Sequence, residues 1–454
     1  MEFTNKNILV IGAGISGFAA AKIAKKFGAD VTLSDAKAEA DLSKYDFSEL
    51  RSLSINLKFG KQEESLLDGV DLIIVSPAVP IKIPLLQAAI KRNIEIISEV
   101  ELAYNLAKSP ICAVTGTNGK TTTVTLLGLL LETAYDKVGV GGNIGIPLSE
   151  VALEVGEGGC IAAEISSYQM EATNNFHPHV SAILNVTPDH IKRHGSMEVY
   201  QEMKERIFAE EVAEDFLVLN YDDERTRGIK SRAHCKVYYF SRQHELDEGA
   251  YLSGNELIIK VNGTVHSLCT IDELGIKGGH NVENALAASM VAFCAGAEAE
   301  KMRKVLMTFT GVEHRIEFVR EIEGVKYYND SKATNTDSAI KALETFDGHI
   351  ILIAGGDDKG TDLTEFMQLV KARVDELILV GDAAARFKQA AIENNFDKNK
   401  IHEANYSMDK AVEIAHNISK APQVVLLSPA CASFDMYDGF EARGKDFKRI
   451  VNAI

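Results

Sequence analysis

The sequence predicts an α/β protein of three domains, and three observations support this fold class. Its 454 residues correspond to roughly three domains of ordinary length. Short runs rich in β-branched residues alternate with stretches that have the apolar spacing of helices. Two of the β-rich runs end directly in a glycine-rich turn, which is typical of parallel α/β sheets that bind nucleotides.

The first domain is predicted to be Rossmann-like and to span residues 1–108. The run NILVI is followed at once by GAGISG and then by helical spacing, and two further strands end at Asp35 and Ser76. The glycines Gly12, Gly14 and Gly17 permit a tight turn near a phosphate, and an acid about 20 residues later suits a ribose hydroxyl. By itself this motif indicates either a nucleotide site or only close packing of strand against helix.

The central domain, predicted for residues 109–310, contains the motif TGTNGKTTT between a β-rich run and a leucine-rich helical stretch. Lys120 suits the β- and γ-phosphates of a nucleotide, and Thr121 offers a hydroxyl to Mg²⁺. Val114 stands where the full phosphate-loop pattern has its first glycine, so we expect a shortened loop. The short β-like pieces between about 235 and 270 predict a small accessory sheet in this phosphate-loop ATPase domain.

Metal-binding side chains are predicted at the carboxyl edge of the central sheet. Glu164 ends the strand GCIAAE, and a carboxylate from such a strand end is what a phosphate loop needs for Mg²⁺. Asp189, His190 and His194 follow the strand VSAILNV, and Lys204 lies farther along. Taken singly, each of these residues is as compatible with a structural role as with a catalytic one.

The last domain, predicted for residues 311–454, is a second Rossmann-like unit with strands VKYYND, HIILIAGG, DELILVG and QVVLLSP. Polar residues cluster where three of these strands end, which suits a small dicarboxylate or amino-acid substrate. They are Asp330, Ser331, Lys332, Thr334, Lys359, Ser428 and Ser433, with Phe440 nearby.

Composition narrows the possible partners. A formal net charge of −17 argues against non-specific binding to nucleic acid or to an anionic membrane. The six cysteines form no CxxC pair, which favours reduced thiols over a zinc site or a disulfide framework. The sequence begins without a signal-peptide pattern and contains no apolar run of ~18 residues, so we expect a cytoplasmic protein without a membrane partner.

A series of motifs in chain order resembles the Mur ligase family, the ATP-dependent amino-acid ligases of peptidoglycan synthesis. The resemblance covers nearly the whole chain, and it makes the shortened phosphate loop a feature of the family. The motifs are TGTNGKTTT, GNIG, EISSYQME, NVTPDH, GGHNVENALAA, GVEHRIEFV, NDSKATN, GGDDKG and LSPACASFD.

The resemblance implies an ADP-forming amide ligase that adds D-glutamate to UDP-N-acetylmuramoyl-L-alanine through an acyl phosphate. It further implies ATP, two Mg²⁺ ions and a carbamate on Lys204, that is, an N6-carboxylysine. The protein is expected to act as a monomer in cytoplasmic peptidoglycan precursor synthesis.

The resemblance also implies a role for individual residues. Lys120, His190 and Lys204 are the expected catalytic residues, and Mg²⁺ would be held by Thr121, Glu164, His190 and carbamoylated Lys204. ATP would contact Gly116, Thr117, Asn118, Gly119, Lys120, Thr121, Thr122, Asn281, Arg315 and Asp330. The UDP substrate would contact Ser16, Asp35, Ser76, Asn143 and His190. D-Glutamate would contact Lys332, Thr334, Lys359, Ser433 and Phe440. Ala36 departs from the polar residue that related enzymes use there, which leaves the uracil contacts open.

Three other functions compete with this one. A neighbouring Mur-type ligase or a folylpolyglutamate-type ligase would share the ATP loop and differ in the first domain and the amino-acid pocket. A nicotinamide-dependent oxidoreductase would use GAGISG and leave the second glycine loop unexplained. A nucleotide-gated binding protein would bind the same ligands without turnover.

Overall fold

The protein is described from a computed structural model that covers residues 3–42, 45–358 and 360–454, without the Lys192 side chain. The described chain separates into two compact units. One extends to Leu274 and includes Asn281–Phe309, and the other comprises Gly275–His280 and Thr310–Ile454.

The first sheet has the strand order β3-β2-β1-β4-β5, and all of its paired strands are parallel. The order reverses at β1 and β4, and a ligand of such a sheet binds at the carboxyl ends where the order reverses. The Rossmann-like prediction is confirmed. Its strands are β1 (Asn7–Ile11), β2 (Asp30–Asp35), β3 (Asn56–Phe59), β4 (Leu72–Val75) and β5 (Glu95–Ser98). Its helices are α1 (Ile15–Lys26), α2 (Ser48–Ser52), α3 (Pro84–Lys91) and α4 (Glu99–Leu106).

The central sheet has the order β14-β13-β12-β11-β10-β9-β6-β8-β7. Its strands are β6 (Ile111–Thr115), β7 (Val138–Gly142), β8 (Cys160–Glu164), β9 (Val180–Ile183), β10 (Phe216–Asn220), β11 (Lys236–Ser241), β12 (Gly249–Ser253), β13 (Glu256–Val261) and β14 (Thr264–Thr270). Its helices are α5 (Lys120–Leu131), α6 (Leu148–Val155), α7 (Ile191–His194), α8 (Met197–Glu205), α9 (Glu224–Arg227), α10 (Gly279–Cys294) and α11 (Ala299–Thr308).

The strands predicted as an accessory sheet are present, but they extend the central sheet. β11 pairs in parallel with β10 along the register Phe216 to Lys236, and β12 pairs in parallel with β11. The antiparallel pairings are those of β12 with β13 and of β13 with β14. The sequence showed the strands but not their partners, because backbone hydrogen bonds between distant segments leave no local pattern.

The third sheet, in the second unit, has the order β15-β16-β20-β17-β18-β19 and is parallel except for β15. Its strands are β15 (Glu317–Ile322), β16 (Val325–Asn329), β17 (Ile350–Gly355), β18 (Val374–Val380), β19 (Ile401–Asn405) and β20 (Val424–Leu427). Its helices are α12 (Thr336–Glu344), α13 (Thr364–Arg373), α14 (Ala384–Glu393), α15 (Met408–Ile418) and α16 (Phe440–Ala453).

Short 3₁₀ helices connect several of these elements. They are Glu39–Leu42, Glu64–Leu67, Gln169–Ala172, Arg206–Phe208, Gly228–Arg232 and Lys398–Lys400. Among the described residues, no helix combines the length and the apolar character needed to span a bilayer.

The central strands of each sheet are buried on both faces, as parallel strands covered by helices must be. β6, β8 and β9 are buried along their whole length, and so is β17 in the second unit. The predicted site residues lie at or after the carboxyl ends of these strands, where the chain leaves the buried part of the sheet.

Candidate functional site

The phosphate loop joins β6 to α5 and is anchored to the segment that follows β9. The Thr117 amide donates to the Asn185 carbonyl at 3.0 Å, and the Asn118 amide donates to Asn185 Oδ1 at 2.8 Å. The Thr117 hydroxyl bonds to the Thr187 carbonyl and to the Tyr200 hydroxyl, each at 3.1 Å. The loop is thus held in shape by its neighbouring strand before any ligand binds.

Gly119 makes the turn into α5 possible. It has φ +84°, and a Cβ at this position would lie 2.4 Å from Asn284 Oδ1. That Asn284 oxygen also accepts from the Thr123 hydroxyl at 3.2 Å, and the Asn284 amide donates to Asn281 Oδ1 at 3.1 Å. Asn284 of α10 therefore packs directly against the start of α5. Asn281, which is predicted to contact ATP, is hydrogen-bonded to Asn284 and so lies next to this contact.

Two lysines meet on the carbonyls of the loop. Lys120 Nζ donates to the carbonyls of Gly116 and Thr117 at 2.8 and 2.7 Å, and Lys204 Nζ donates to the same Gly116 carbonyl at 2.8 Å. Lys204 is 1 % exposed and lies over the Tyr200 ring. The pKa of Lys204 lies well below its ordinary value, chiefly because the amine is buried and secondly because the Lys120 charge is close. Lys204 is therefore a buried, readily deprotonated amine and not an exposed helix lysine.

Glu164 stands next to this loop with an unsatisfied oxygen. It pairs with Val114 across β8 and β6, and its Oε1 accepts from Asn143 Nδ2 at 2.8 Å. Within the described residues, Glu164 Oε2 and the Thr122 hydroxyl are buried without a hydrogen-bond partner. A buried carboxylate oxygen left in this way is a natural ligand for a cation. The residues present therefore fit Mg²⁺.

The histidines after β9 lie beside the loop in different environments. His190 adopts φ +54°, is partly exposed, and its Nδ1 lies 2.9 Å from the Tyr168 hydroxyl, with Asp189 3.4 Å from its Nε2. His194 is buried, its Nε2 bonds to the Ser167 hydroxyl at 3.0 Å, and burial lowers its pKa. The more accessible His190 is thus the better candidate ligand, and His194 supports the fold.

The first-domain glycine turn is closed by a carboxylate. Gly12 has φ +100°, and a Cβ on Gly17 would lie 1.8 Å from the Gly12 carbonyl oxygen. Asp35 Oδ2 accepts from the Ala13 amide at 2.8 Å, and its Oδ1 accepts from the Lys37 amide at 2.9 Å. Asp35 therefore shapes the turn, in addition to the substrate contact predicted for it.

Ser76 and Ser16 flank the same turn. Ser76 follows β4, is buried, and its Cβ would lie 2.7 Å from a Cβ on Gly12. Ser16 lies in the first turn of α1, and Ala36 is exposed after β2. The structure brings Ser16, Asp35 and Ser76 to one edge of the first sheet.

In the second unit, Asp330 follows β16 as a fully buried acid. Its carboxylate accepts from the Ser428 hydroxyl at 2.8 Å and from the Ile316 amide at 3.2 Å. Burial raises the pKa of Asp330 to about 6, opposed chiefly by the positive charge of Arg315. The predicted ATP contacts Arg315 and Asp330 are therefore near neighbours.

The loops after β16 and β20 are joined by a buried arginine. Arg443 Nε donates to the Ser331 hydroxyl at 3.0 Å, and its terminal nitrogens donate to the carbonyls of Ser331, Cys431 and Ala432. The Lys332 ammonium lies 5.3 Å from the centre of the Phe440 ring. Ser433, next in sequence to Ala432, is buried.

Of the residues predicted to bind D-glutamate, Lys332, Thr334 and Ser433 thus lie on linked loops, and Phe440 begins α16 beside them. Thr334 belongs to the same turn as Lys332, since its amide donates to the Lys332 carbonyl at 2.9 Å. Lys359, also predicted to bind D-glutamate, lies outside the described residues.

One group with metal-ligand geometry occurs elsewhere in the second unit, at Glu313, His314 and Glu317. Lys448 Nζ lies 2.7 Å from a carboxylate oxygen of each glutamate, and burial lowers the pKa of His314. An ammonium already provides the positive charge between these carboxylates, so the group is a structural ion cluster.

Several residues that build the site were missed by sequence reasoning. Asn185, Tyr200, Asn284 and Arg443 contact the predicted residues but belong to elements far from them along the chain. Asn185 lies within the quoted motif NVTPDH and Asn284 within GGHNVENALAA, so those two had a signal. Arg443 had none, because an arginine in a surface-like helix sequence is not expected to be buried.

Comparison with known proteins places the whole chain in one group. Family models for the Mur ligase MurD-like N-terminal domain, the Mur ligase middle domain and the Mur ligase glutamate ligase domain match residues 6–98, 114–292 and 314–431. A UDP-N-acetylmuramoylalanine–D-glutamate ligase of Thermoanaerobacter pseudethanolicus is 46% identical over 99% of each chain. The ligase of the same name from Clostridioides difficile is 42% identical over 100% of this chain and 99% of its own.

Solved structures share the fold at low sequence identity. UDP-N-acetylmuramate-alanine ligase MurC from Thermotoga maritima superposes with a TM-score of 0.60 and 20% identity over 99% of both chains. Mycobacterium tuberculosis folylpolyglutamate synthase gives a TM-score of 0.58 at 14% identity over 77% of this chain and 94% of its own. The fold is therefore common to ligases of different substrates.

Proposed function

This chain belongs to the Mur ligase family, and we propose from that premise that it adds D-glutamate to UDP-N-acetylmuramoyl-L-alanine at the expense of ATP. The similarity to D-glutamate ligases extends over the whole chain. The structural observation that carries the proposal is the meeting of Lys120 and Lys204 on one loop carbonyl. Lys120 supplies positive charge at the phosphate loop and the buried Lys204 amine can be converted to a metal ligand, which together suit a reaction in which anions must approach one another.

The chemistry has to make a carboxylate electrophilic. In the proposed reaction a carboxylate oxygen of the L-alanyl group attacks the γ-phosphorus of ATP, and the bond from that phosphorus to the bridging oxygen of ADP breaks. The D-glutamate amine then adds to the acyl-phosphate carbon, phosphate leaves, and the amine proton is released. Lys120 would stabilise the charge on the transferred phosphoryl group, since its ammonium already lies over the loop.

The loop and its neighbours form the proposed ATP site. The contacts are Gly116, Thr117, Asn118, Gly119, Lys120, Thr121, Thr122 and Asn281 on the first unit, with Arg315 and Asp330 proposed on the second. Backbone amides at a helix N-terminus favour phosphate, and α5 begins at Lys120. The anchoring of the loop by Asn185 means that little ordering cost remains for ATP binding.

Two Mg²⁺ ions are proposed, held by Thr121, Glu164, His190 and modified Lys204. When bound they would supply positive charge to phosphate oxygens. The buried, unsatisfied Glu164 oxygen supports the first ion. Asn143 fixes the other Glu164 oxygen and so orients the carboxylate.

The carbamate on Lys204 has a physical basis in its burial. A neutral amine can attack CO₂, forming an N–C bond and releasing a proton, and the lowered pKa makes the neutral amine available. The product is an anion where the unmodified side chain would be a cation. It would give the second ion an oxygen ligand and remove the repulsion from Lys120.

The proposed substrate contacts are those that the family resemblance implies. Ser16, Asp35, Ser76, Asn143 and His190 are proposed to hold the nucleotide substrate, and their common unit supports this. Lys332, Thr334, Lys359, Ser433 and Phe440 are proposed to hold D-glutamate, and the linked loops of the second unit support four of them. The proposed domain bounds are 1–108, 109–310 and 311–454, and the proposed enzyme is a cytoplasmic monomer.

The test is phosphate release measured while each substrate is omitted in turn. Release is expected only with ATP, Mg²⁺, UDP-N-acetylmuramoyl-L-alanine and D-glutamate together. Replacement of D-glutamate by other amino acids should abolish it, whereas another Mur-type or folylpolyglutamate-type ligase would prefer one of them. Binding without release would indicate a nucleotide-gated binding protein, and tight binding of NADH would indicate the oxidoreductase.

A further inference from the structure

Arg193 joins the first domain to the central domain within the first unit. Its Nε and Nη2 donate to the two carboxylate oxygens of Glu171, each at 2.8 Å. The same guanidinium reaches carbonyls of the loop after β4, with Nη2 3.1 Å from Val79 O and 3.4 Å from Pro77 O, and Nη1 3.4 Å from Ala78 O. The Arg193 side chain thus binds a carboxylate of the central domain and backbone carbonyls of the first domain.

The two ends of this contact lie beside two different parts of the proposed substrate site. The gripped loop begins at Ser76, which packs against the glycine turn. On the other side, Arg193 lies three residues after His190, and its guanidinium is 4.9 Å from the centre of the Tyr168 ring. The Tyr168 hydroxyl in turn bonds to His190 Nδ1. The guanidinium therefore connects the wall of the nucleotide site with His190, the proposed Mg²⁺ ligand and substrate contact.

The interface has other bonds that can hold the domains together without Arg193. Glu101 of α4 accepts from the amides of Asn174 and Asn175, each at 3.0 Å, and Glu99 accepts from the Ser149 amide and hydroxyl. Loss of Arg193 is therefore expected to release the loop after β4 locally. Lysine cannot replace the forked guanidinium of Arg193, because a single ammonium cannot bond to both oxygens of a carboxylate and to several backbone carbonyls at once.

We propose that Arg193 is a positioning residue that sets the distance between the nucleotide end and the reacting carboxylate of the substrate. The inference rests on the proposed function, since it needs a substrate that reaches from the glycine turn to His190. A substrate held at both ends reacts only when the spacing is right, and small misplacements cost much of the rate. Arg193 thereby selects substrates in which the pyrophosphate and the acceptor carboxylate are separated by one particular span.

The experiment compares Arg193→Met with wild type in the phosphate-release assay. We expect kcat/KM for UDP-N-acetylmuramoyl-L-alanine to fall at least tenfold, while KM for ATP stays within twofold. The inhibition constant of UDP, which carries only the nucleotide end, should also stay within twofold. Arg303→Met is the matched control, because Arg303 likewise bonds a carboxylate, Glu273, and a carbonyl, Leu268, but within the central domain only. It should leave all three constants unchanged.

The outcomes separate the inference from the proposed function. A parallel rise of the UDP inhibition constant would show that Arg193 maintains the nucleotide site itself, and unchanged constants would show that the spacing does not depend on it; either overturns the inference. A wild-type protein without phosphate release would instead overturn the proposed function. If Arg193→Met does not fold, Glu171→Gln and Arg193→Lys give the same comparison, and both are expected to show intermediate losses with an unchanged UDP constant.

Discussion

Two glycine turns in the first unit have the same local design and opposite electrical surroundings. Each follows a buried parallel strand and leads into a helix, and each needs a glycine with positive φ, Gly12 in one and Gly119 in the other. The first turn is closed by the Asp35 carboxylate, which accepts hydrogen bonds from two backbone amides. The second is closed by Lys120 and Lys204, which donate to backbone carbonyls.

The difference shows that the ligand of a glycine turn is decided by the side chains around it. A carboxylate beside the first turn favours groups that donate hydrogen bonds, such as the hydroxyl and N–H groups of a nucleoside. The Lys120 ammonium beside the second turn favours phosphate, and the buried Lys204 beside it can supply a metal ligand. The same backbone geometry can therefore serve a nucleoside end in one domain and a triphosphate in the next.

The largest expected effect comes from removing the charge at the second turn. Lys120→Met should lower the rate of phosphate release by about 100-fold or more, because the ammonium stabilises charge in the transition state. Steady-state kinetics would measure this, with Lys301→Met, an exposed lysine paired with Glu298, as the control. A Lys120→Met enzyme that released phosphate at the wild-type rate would contradict the proposed electrostatic difference between the two turns.

Removing the Lys204 amine is a further test of the difference between the two glycine turns. Lys204→Ala should lower the rate by roughly 100-fold, because the proposed carbamate ligand is lost. Formate or acetate should restore part of the rate by supplying an oxygen ligand, whereas neither should help Lys120→Met. Full activity of Lys204→Ala would contradict the carbamate.

Glycine substitutions in the first turn are expected to change the free energy of unfolding. Gly17→Ala places a Cβ against the Gly12 carbonyl, which no rotamer can avoid, so we expect a loss of about 3 kcal/mol in the free energy of unfolding. Gly14→Ala, with its nearest atoms at 3.9 Å, should cost less than about 1 kcal/mol. Denaturant unfolding of the two variants gives the difference, and equal losses would contradict the packing argument.

The smallest effect is expected for the carboxylate that closes the first turn. Asp35→Asn should lower the free energy of unfolding by about 1–2 kcal/mol, because an amide has one acceptor oxygen where the carboxylate has two, so one of the two hydrogen bonds from backbone amides is lost. It should also raise KM for the nucleotide substrate while leaving KM for ATP unchanged. A change in the ATP constant of the same size would mean that the two turns do not act separately.

The sequence predicted strands that form a continuous apolar run, and it missed a largely polar strand at the edge of a sheet. β17 and β20 were recognised because burial on both faces gives a continuous apolar run. β19, with the sequence IHEAN at the edge of its sheet, is largely polar and was not predicted. Edge strands need little apolar surface, so their sequences give little periodicity to detect.

In the candidate site, the sequence located the residues and the structure gave their relationships. The position of Lys204 illustrates this, since its helix sequence MEVYQEMKE suits an exposed lysine as well as a buried one. Only the packing of α8 against the loop showed that the amine is buried on the Gly116 carbonyl. Asn284 and Arg193 likewise gained a role only through their partners.

The sequence by itself determined the three α/β domains, both glycine turns and the residues at the ends of strands, because these depend on local periodicity and on residue types. The tertiary structure alone decided that the strands after β10 extend the central sheet, that Lys204 is desolvated, and that Arg193 links two domains. Burial, hydrogen bonding and the pKa of a side chain depend on segments that are distant along the chain, and no local pattern records them.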